Sequence, residues 1–258
     1  MRIVVTGAAG LVGSALVRRT GATGLTRRDL DITDERAVRE AVARLRPDLL
    51  INCAVTGVDE CEADPDLARA INVEGPRILA RAVPAILHFS SNYVLDPVNV
   101  YGRTKLEGEE AVAEANERAL IVRTSWVFGR GKESFLGTAA ARLARGERIR
   151  AITDTWASTT YVEDLVTRVL DLLGSTGLHD VVNDGVLTYD DFAREAARLA
   201  GADPALIERV TESEMGRLAP RPRYTPMRAD PPMRRWQEAL ADYVSEPSPP
   251  RQRGRRWS

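Results

Sequence analysis

Apolar and polar positions along the first half of the chain form blocks that predict strands followed by helices. Short apolar runs typical of buried strands lie at 2–6, 48–54, 86–90 and 120–123, with a weaker strand around Leu25. Helical spacing extends over the intervening segments 11–19, 34–45, 65–82 and 100–117. Strands that alternate with helices in this way predict βαβ units and a Rossmann-type, doubly wound parallel sheet of the α/β class.

The pattern becomes less regular after Trp126, where helical spacing remains at 134–145, 162–173, 189–200 and 236–244. The proline-rich segment 221–232 is predicted to be irregular. We predict three parts for the chain. They are an NADP-binding Rossmann core at 1–125 plus about 160–186, a C-terminal substrate-binding lobe at about 126–159 plus 187–244, and a disordered tail at 245–258.

Composition and charge exclude several functional classes. The chain has 258 residues, 44% of them apolar, and a formal net charge of −1, which provides no field to attract nucleic acid or an anionic membrane. We see neither a membrane-spanning run nor a signal peptide. Cys53 and Cys61 are the only cysteines, which favours a reducing compartment, and no Cys/His cluster indicates a metal. A cytoplasmic location is therefore expected.

A glycine loop joins the first predicted strand to the first predicted helix. Gly7 allows a sharp turn, Gly10 allows close approach of a pyrophosphate, and Gly13 allows the helix to pack against the sheet. Leu11 and Val12 are the first residues of the predicted helix, beneath the expected phosphate position. Glycine-rich turns are common, but this placement between a strand and a helix indicates a dinucleotide site.

The residues after the second and third predicted strands indicate which dinucleotide cofactor binds. An acidic residue after the second strand would favour NAD, whereas this chain has Arg27 and Arg28, which suit a 2′-phosphate. We therefore predict NADPH over NADH, with an ordinary arginine-rich surface as the alternative. After the third strand, the small side chains of 53–55, namely Cys53, Ala54 and Val55, would let the adenosine half lie against the backbone.

Tyr101 and Lys105 stand four residues apart on a predicted helix and are candidate catalytic residues. An ammonium beside a phenol lowers the phenol's pKa and makes it a better general acid, and it can also bind the nicotinamide ribose. Ser91, at the end of the preceding strand, is the candidate that orients a carbonyl, and Ser90 is expected to support the cofactor. His88 is expected only to fill the strand. The alternative for the Tyr–Lys pair is a surface contact.

These residues together resemble the dTDP-4-dehydrorhamnose reductase family of extended short-chain dehydrogenases over about residues 1–244. The resemblance rests on the glycine loop and on eight further segments, namely 31–32, 46–48, 52–54, 90–94, 99–105, 123–127, 221–222 and 236–240. It implies NADPH-dependent reduction of a 4-keto group on a nucleoside-diphosphate deoxysugar. It also implies that Asp31 and Ile32 lie near the adenine, and that Tyr93, Trp126 and Arg221 belong to the substrate side.

Three departures from the family lie on that substrate side. The family usually has threonine and aspartate where Ser91 and Asn92 stand, and a longer loop where this chain has only 95–98. The third departure is segment 154–160, in which Trp156 is a candidate to stack on the sugar or base, with buried packing as the alternative. We therefore expect a reductase with altered substrate preference, with Asn92 and Trp156 among the residues that contact the sugar nucleotide.

Two other functions stay open at this stage. The first is a non-catalytic, NADP-binding regulatory subunit of the same fold, which the shortened loop would suit. The second is a nucleotide-sugar epimerase or dehydratase, although Asn92 lacks the carboxylate that a dehydratase needs. The tendency of this superfamily to dimerise makes a homodimer the expected assembly.

Overall fold

A computed structural model describes residues 1–131 and 134–246 of the chain. Within these residues the strands in chain order are β1 (Ile3–Thr6), β2 (Thr23–Leu25), β3 (Leu49–Asn52), β4 (Ile86–Ser91), β5 (Ala119–Thr124), β6 (Val127–Phe128), β7 (Ile149–Ile152), β8 (Trp156–Ala157), β9 (Thr160–Tyr161), β10 (Gly177–Asp180), β11 (Ile207–Val210) and β12 (Tyr224–Thr225). The helices are α1 (Leu11–Thr20), α2 (Glu35–Leu45), α3 (Val58–Ala63), α4 (Pro65–Arg69), α5 (Gly75–Ala82), α6 (Val100–Ala115), α7 (Phe135–Ala144), α8 (Val162–Asp171), α9 (Tyr189–Ala200) and α10 (Trp236–Ser245).

Six strands form the central sheet in the order β2-β1-β3-β4-β5-β10, and every neighbouring pair is parallel. The chain passes from β1 to β2 on one side and then continues with β3 on the other side of β1. In open α/β sheets a ligand crevice lies at the carboxyl ends of the strands at such a reversal. The predicted doubly wound parallel sheet is confirmed, and the crevice is expected beside Thr6 and Asn52.

Two apolar layers cover the sheet. One layer packs α2 and α5 against it through buried residues such as Val38 and Leu79. The opposite layer joins α1 and α8 to the helices of the second half, including Leu16, Leu165 and Phe192, in a continuous core. The strands outside the central sheet form three small pairs, β11-β7, β12-β8 and β6-β9. The predicted division into a core and a lobe stays a prediction, because this apolar core runs through both.

Local signals explain the helix boundaries that the sequence predicts well. The Asp34 side chain accepts hydrogen bonds from the backbone of Arg36 and Ala37 and so begins α2. Thr188 and Asp191 form a reciprocal capping box at the start of α9. The predicted helix 65–82 is instead α4, a π-helical turn at Ala70–Glu74, and α5. The sequence pattern alone does not distinguish such a turn from a regular helix.

The predicted disordered tail needs a correction at its first two residues. Ser245 is the last residue of α10, and Glu246 pairs with Arg130 and accepts a hydrogen bond of 2.6 Å from the Tyr161 hydroxyl. These contacts hold the chain through residue 246. The remainder of the predicted tail, 247–258, lies outside the described residues. Among the helices that the structure describes, none is long and apolar enough to cross a membrane.

Gly108 on α6 is the point where this helix crosses the π-helical turn. A Cβ atom at Gly108 would lie 2.1 Å from the backbone oxygen of Asn72. We predict that Gly108→Ala lowers the free energy of unfolding by about 2 kcal/mol, although alanine favours helices, because the two backbones cannot separate freely. Urea denaturation measures this change. The control Glu110→Ala, at an exposed position of the same helix, should change it by less than about 0.5 kcal/mol. Equal values for the two variants would contradict the packing argument.

Candidate active site

The glycine loop lies at the carboxyl edge of the sheet, between β1 and α1. Gly7 has a φ of 69°, and a Cβ atom there would lie 2.5 Å from the carbonyl carbon of Cys53. A Cβ atom at Gly13 would lie 2.4 Å from the carbonyl oxygen of Gly7. Only glycine therefore fits at these two positions, and the N-terminus of α1 is brought to the edge of the sheet, where its free N–H groups favour an anion.

A cavity of about 360 Å³ opens beside this loop. Its wall includes eight of the predicted cofactor-binding residues, namely Gly7, Gly10, Arg27, Asp31, Ile32, Cys53, Ala54 and Val55. The other predicted cofactor residues lie outside this wall; they are Leu11, Val12, Gly13, Arg28, Ser90, Tyr101 and Lys105. The glycine positions and the cavity together fit the adenosine diphosphate half of a dinucleotide.

Asp31 and Arg27 place opposite charges on the wall of this cavity. Asp31 Oδ1 accepts hydrogen bonds from the Thr33 amide (3.0 Å) and hydroxyl (2.7 Å), and these bonds hold the pKa of the carboxyl below its usual range. Arg27 is exposed and adds a smaller effect in the same direction. One Asp31 oxygen, Oδ1, is thus engaged by Thr33, and the exposed Arg27 lies on the wall of the same cavity.

A buried hydrogen-bonded chain leads from the glycine loop to the predicted catalytic helix. The Thr6 hydroxyl donates to Asn52 Oδ1 (2.7 Å), and Asn52 Nδ2 lies 3.0 Å from His88 Nδ1. His88 Nε2 lies 3.3 Å from Lys105 Nζ, which donates to the carbonyl oxygen of Phe89 at 2.6 Å. The four side chains of this hydrogen-bonded network are at least 98% buried, so water does not compete for their hydrogen bonds.

The electrostatics of Tyr101 differ from the sequence-based expectation. Burial raises the pKa of Tyr101 to about 12, and the nearby Ser91 hydroxyl opposes this rise. The prediction that Lys105 lowers the phenol's pKa is not met in this structure, because the lysine nitrogen is directed to the Phe89 carbonyl and to His88. Burial lowers the pKa of Lys105 itself to about 8. The structure does bring Tyr101 close to Ser91, and the Tyr93 ring packs edge-on against Tyr101 at 5.4 Å.

Ser91 and Asn92 connect the end of β4 to the C-terminal half of the chain. The Ser91 hydroxyl donates to Asn92 Oδ1 (3.3 Å) and accepts from the Tyr93 amide (3.3 Å). Asn92 Nδ2 donates to the hydroxyl of Thr225 on β12 at 2.7 Å. Ser90 Oγ is buried without a hydrogen-bond partner among the described residues.

The remaining predicted substrate residues have different surroundings. Trp126 has a φ of 37° and stacks on Tyr189, with 4.1 Å between the ring centroids. Trp156 is 36% exposed and lies opposite Tyr224 in the β8-β12 pair, so the alternative of buried packing does not hold. Arg221 is committed to structure, because its guanidinium makes a two-point salt bridge to Asp59 (3.0 and 2.7 Å) and donates to the Ala219 carbonyl.

Sequence reasoning missed three residues that organise this region. Asn52 and His88 belong to apolar strand segments, and a polar residue inside a buried strand was the signal that could have revealed their network. Thr225 pairs with Asn92 across 133 positions of the chain, and no local pattern indicates such a contact.

The sequence model of the RmlD substrate binding domain matches residues 1–248. The chain belongs to this RmlD substrate binding domain family. Two curated relatives are dTDP-4-dehydrorhamnose reductases. One, from Mycolicibacterium smegmatis, is 39% identical over 95% of this chain and 85% of its own length. The other, from Streptomyces griseus, is 38% identical over 93% of this chain and 92% of its own length.

Solved structures agree with this family membership. The dTDP-4-dehydrorhamnose reductase from Bacillus anthracis, in complex with NADP, has a TM-score of 0.87 and 30% identity, and covers 94% of this chain and 98% of its own. A dTDP-4-dehydrorhamnose reductase from Clostridium acetobutylicum has a TM-score of 0.86 and 31% identity, and covers 95% and 98%. The resemblance seen in the sequence is therefore confirmed, and so is the α/β fold that it implies.

The Asn92–Thr225 bond of this RmlD-family chain gives a testable prediction. Thr225→Val removes the acceptor of a buried amide donor, which should lower the free energy of unfolding by about 1–3 kcal/mol. Thr225→Ser keeps the hydroxyl and should lower it by less. Thermal unfolding followed by circular dichroism compares the two variants. If valine, which keeps the methyl group and loses the hydroxyl, destabilises the protein no more than serine does, the hydrogen bond contributes less than predicted.

Proposed function

We propose that this protein uses NADPH to reduce the 4-keto group of a nucleoside-diphosphate-activated deoxysugar. The observation that carries the proposal is the position of Tyr101. It lies near the Ser91 hydroxyl at the carboxyl end of β4, and a buried polar network joins its helix to the glycine loop. A proton donor, a carbonyl-orienting hydroxyl and a dinucleotide cradle at one sheet edge support a ketoreductase.

The proton chemistry follows from the burial of the phenol. Because the pKa of Tyr101 is raised to about 12, the hydroxyl stays protonated at neutral pH and has a proton to donate, but burial also makes it a weaker acid than an exposed phenol. NADPH, when bound along the sheet edge, supplies the hydride for the carbonyl carbon. As negative charge develops on the carbonyl oxygen, Tyr101 donates its proton there, and the Ser91 hydroxyl hydrogen-bonds the same oxygen. Lys105 Nζ would hold the nicotinamide ribose with a donor that Phe89 does not use.

The choice of NADPH rests on Arg27. Its side chain lines the cavity in which the adenosine half would lie, and a guanidinium suits the fork of a 2′-phosphate. Asp31 lies on the same wall, but its Oδ1 is bound to Thr33, which weakens its competition for the ribose hydroxyls. The NADP in the Bacillus anthracis structure supports the same cofactor for this chain.

The sugar nucleotide is proposed from the relatives and from the substrate side of the site. The curated relatives are named for dTDP-linked sugars, including a dTDP-4-keto-6-deoxy-D-glucose reductase from Streptomyces niveus that is 34% identical. We infer a dTDP-linked 4-keto sugar as substrate. Trp126 and the exposed Trp156 are the flat surfaces available to a base or sugar, and Asn92 and Tyr93 lie beside the carbonyl-orienting Ser91.

Tyr101→Phe tests the proposed proton donor. It should lower kcat for a dTDP-4-keto-6-deoxysugar by about 10²–10⁴-fold, because only the hydroxyl is lost, while NADPH affinity changes little. Stopped-flow loss of NADPH absorbance and fluorescence titration measure these two quantities. Tyr243→Phe is the control, since that hydroxyl bonds the Gly137 carbonyl within the apolar core.

Three outcomes would contradict the proposed function. Unchanged turnover in Tyr101→Phe would remove this residue from the mechanism. Tight NADPH binding without turnover of any 4-keto sugar nucleotide by the unmodified protein would favour the non-catalytic subunit, and turnover without net NADPH consumption would favour an epimerase.

Substitutions of Arg27 and Arg28 provide a matched pair of variants that tests the preference for NADPH over NADH. Arg27→Ala should raise the KM for NADPH by about 10- to 100-fold and change that for NADH far less, since a charge-assisted hydrogen bond contributes about 1.5–3 kcal/mol. Arg28→Ala should have the smaller effect, because Arg28 lies outside the cavity wall. Initial-rate measurements with both cofactors compare the variants. An equal rise for NADPH and NADH in Arg27→Ala would refute the 2′-phosphate contact.

A further inference from the structure

His88 is a buried titratable residue that the proposed reaction does not use. Its side chain has no exposure, and both ring nitrogens face polar groups, Asn52 on one side and Lys105 on the other. Burial and the neighbouring Lys105 keep the pKa of His88 well below its ordinary value, so the ring is neutral and carries a single proton. The position of that proton determines whether Lys105 Nζ faces a hydrogen-bond donor or a hydrogen-bond acceptor on the His88 ring.

The orientation of the Asn52 amide determines the proton position. Asn52 Oδ1 accepts from the Ala54 backbone N–H (3.1 Å) and from the Thr6 hydroxyl (2.7 Å), so Nδ2 must point to His88 Nδ1. A reversed amide would set its NH₂ group against the Ala54 N–H. His88 Nδ1 therefore accepts a hydrogen bond, and the single ring proton is on Nε2.

The Nε2 proton points toward Lys105 Nζ across 3.3 Å. A neutral amine accepts this proton with its lone pair while it donates to the Phe89 carbonyl at 2.6 Å. An ammonium has no lone pair, so two donors would oppose each other in a site that is closed to water. This arrangement favours the uncharged form of the lysine.

We propose that His88, neutral and protonated on Nε2, positions Lys105 Nζ and disfavours its ammonium form, and thereby sets the pH range over which Tyr101 and Lys105 act together. The part that concerns catalysis rests on the proposed reductase function. The part that concerns Lys105 rests only on the geometry of the buried chain.

The other groups around Lys105 act in both directions. Burial disfavours the charged lysine and is the largest influence, while Glu109 on the same helix, Cys53 after β3 and Cys61 on α3 favour it. Glu109 is itself held by Arg123 in a two-point salt bridge of 2.9 and 2.6 Å, which offsets its charge. Among these neighbours, His88 is the one whose hydrogen-bond polarity a substitution can reverse without a change of net charge.

The composition of the chain makes a direct measurement feasible. Lys105 and Lys132 are the only lysines, and His88 and His179 are the only histidines. Nuclear magnetic resonance of the full chain labelled with ¹³C at lysine Cε and ¹⁵N in the histidine rings should give two Cε signals and one pair of ring ¹⁵N signals for each histidine. Lys132→Arg and His179→Gln assign them. Lys105 should titrate near pH 8, far below an ordinary lysine at about 10.4.

His88→Gln is the decisive variant, because its side-chain oxygen can accept from the ammonium at the place of Nε2. It should raise the proton affinity of Lys105 about tenfold or more, which moves the titration up by about one pH unit. His179→Gln, the control on β10, should leave it unchanged. The same Lys105 midpoint in His88→Gln and in the unmodified protein would overturn the proposal.

The unmodified protein provides a test that does not depend on any variant. Its His88 ¹⁵N signals should show the Nε2–H tautomer and no titration between about pH 6 and about pH 9. An Nδ1–H tautomer, or a ring that gains a proton in this range, would overturn the proposal even if His88→Gln does not fold.

The enzymatic readout separates this inference from the proposed function. In the proposed function Lys105 Nζ donates to the nicotinamide ribose, and an ammonium is a stronger donor than a neutral amine. The ammonium is present below the Lys105 midpoint and is lost above it, so the alkaline fall in single-turnover NADPH oxidation should move upward in His88→Gln together with the titration. An alkaline fall that stays in place while the titration moves would overturn the catalytic part. If no 4-keto sugar is reduced at any pH, the proposed function fails, and the lysine titration still decides the role of His88.

Discussion

The buried amide of Asn52 is the interaction on which both halves of the site depend. It joins the carboxyl ends of three neighbouring strands, since it accepts from Thr6 on β1, caps the turn at Ala54 after β3, and donates to His88 on β4. The turn after β3 is the backbone that the glycine loop approaches, and His88 contacts Lys105. One amide therefore fixes the glycine loop relative to the helix that carries Tyr101, the proposed proton donor. A fully satisfied buried network of this kind has a single low-energy arrangement.

Helix α6 connects this buried network to the proline-rich segment of the C-terminal half. Its N-cap residue, Asn99, accepts from the Gly102 amide and also donates to the carbonyl of Pro220, so the start of the helix is tied to the C-terminal segment. Arg221 fastens the same segment to Asp59. Gly108 allows the middle of the helix to touch the backbone of the π-helical turn. Tyr101 is thus held between a rigid sheet edge and the proline-rich segment, which explains why an irregular stretch of chain can still have a defined position.

The sequence predicted what local patterns and short spacings encode. The strands of the central sheet, the capped helices α2 and α9, the glycine loop and the closeness of Tyr101 to Ser91 follow from periodicity, caps and the geometry of parallel sheets. The direction of the Lys105 side chain did not follow, because it depends on His88 and Phe89, which lie on a different element. The resemblance places Arg221 on the substrate side, whereas in the structure its guanidinium pairs with Asp59. A helical i, i+4 spacing places two residues on one face, but the partners across the interface decide which of them interact.

The cofactor side and the substrate side of this chain are built on different principles. At the glycine loop, backbone atoms would lie 2.5 Å from a Cβ at Gly7 and 2.4 Å from one at Gly13, so glycine is the only residue that fits at these two positions. At the substrate side, Asn92 stands where the family usually has a carboxylate, and its amide donates to Thr225 instead of presenting a charge. Trp156 and Tyr224 lie exposed beside this neutral contact. Under the proposed function, this uncharged hydrogen bond and the exposed aromatic rings would favour contacts with the faces of a sugar or base over ionic contacts.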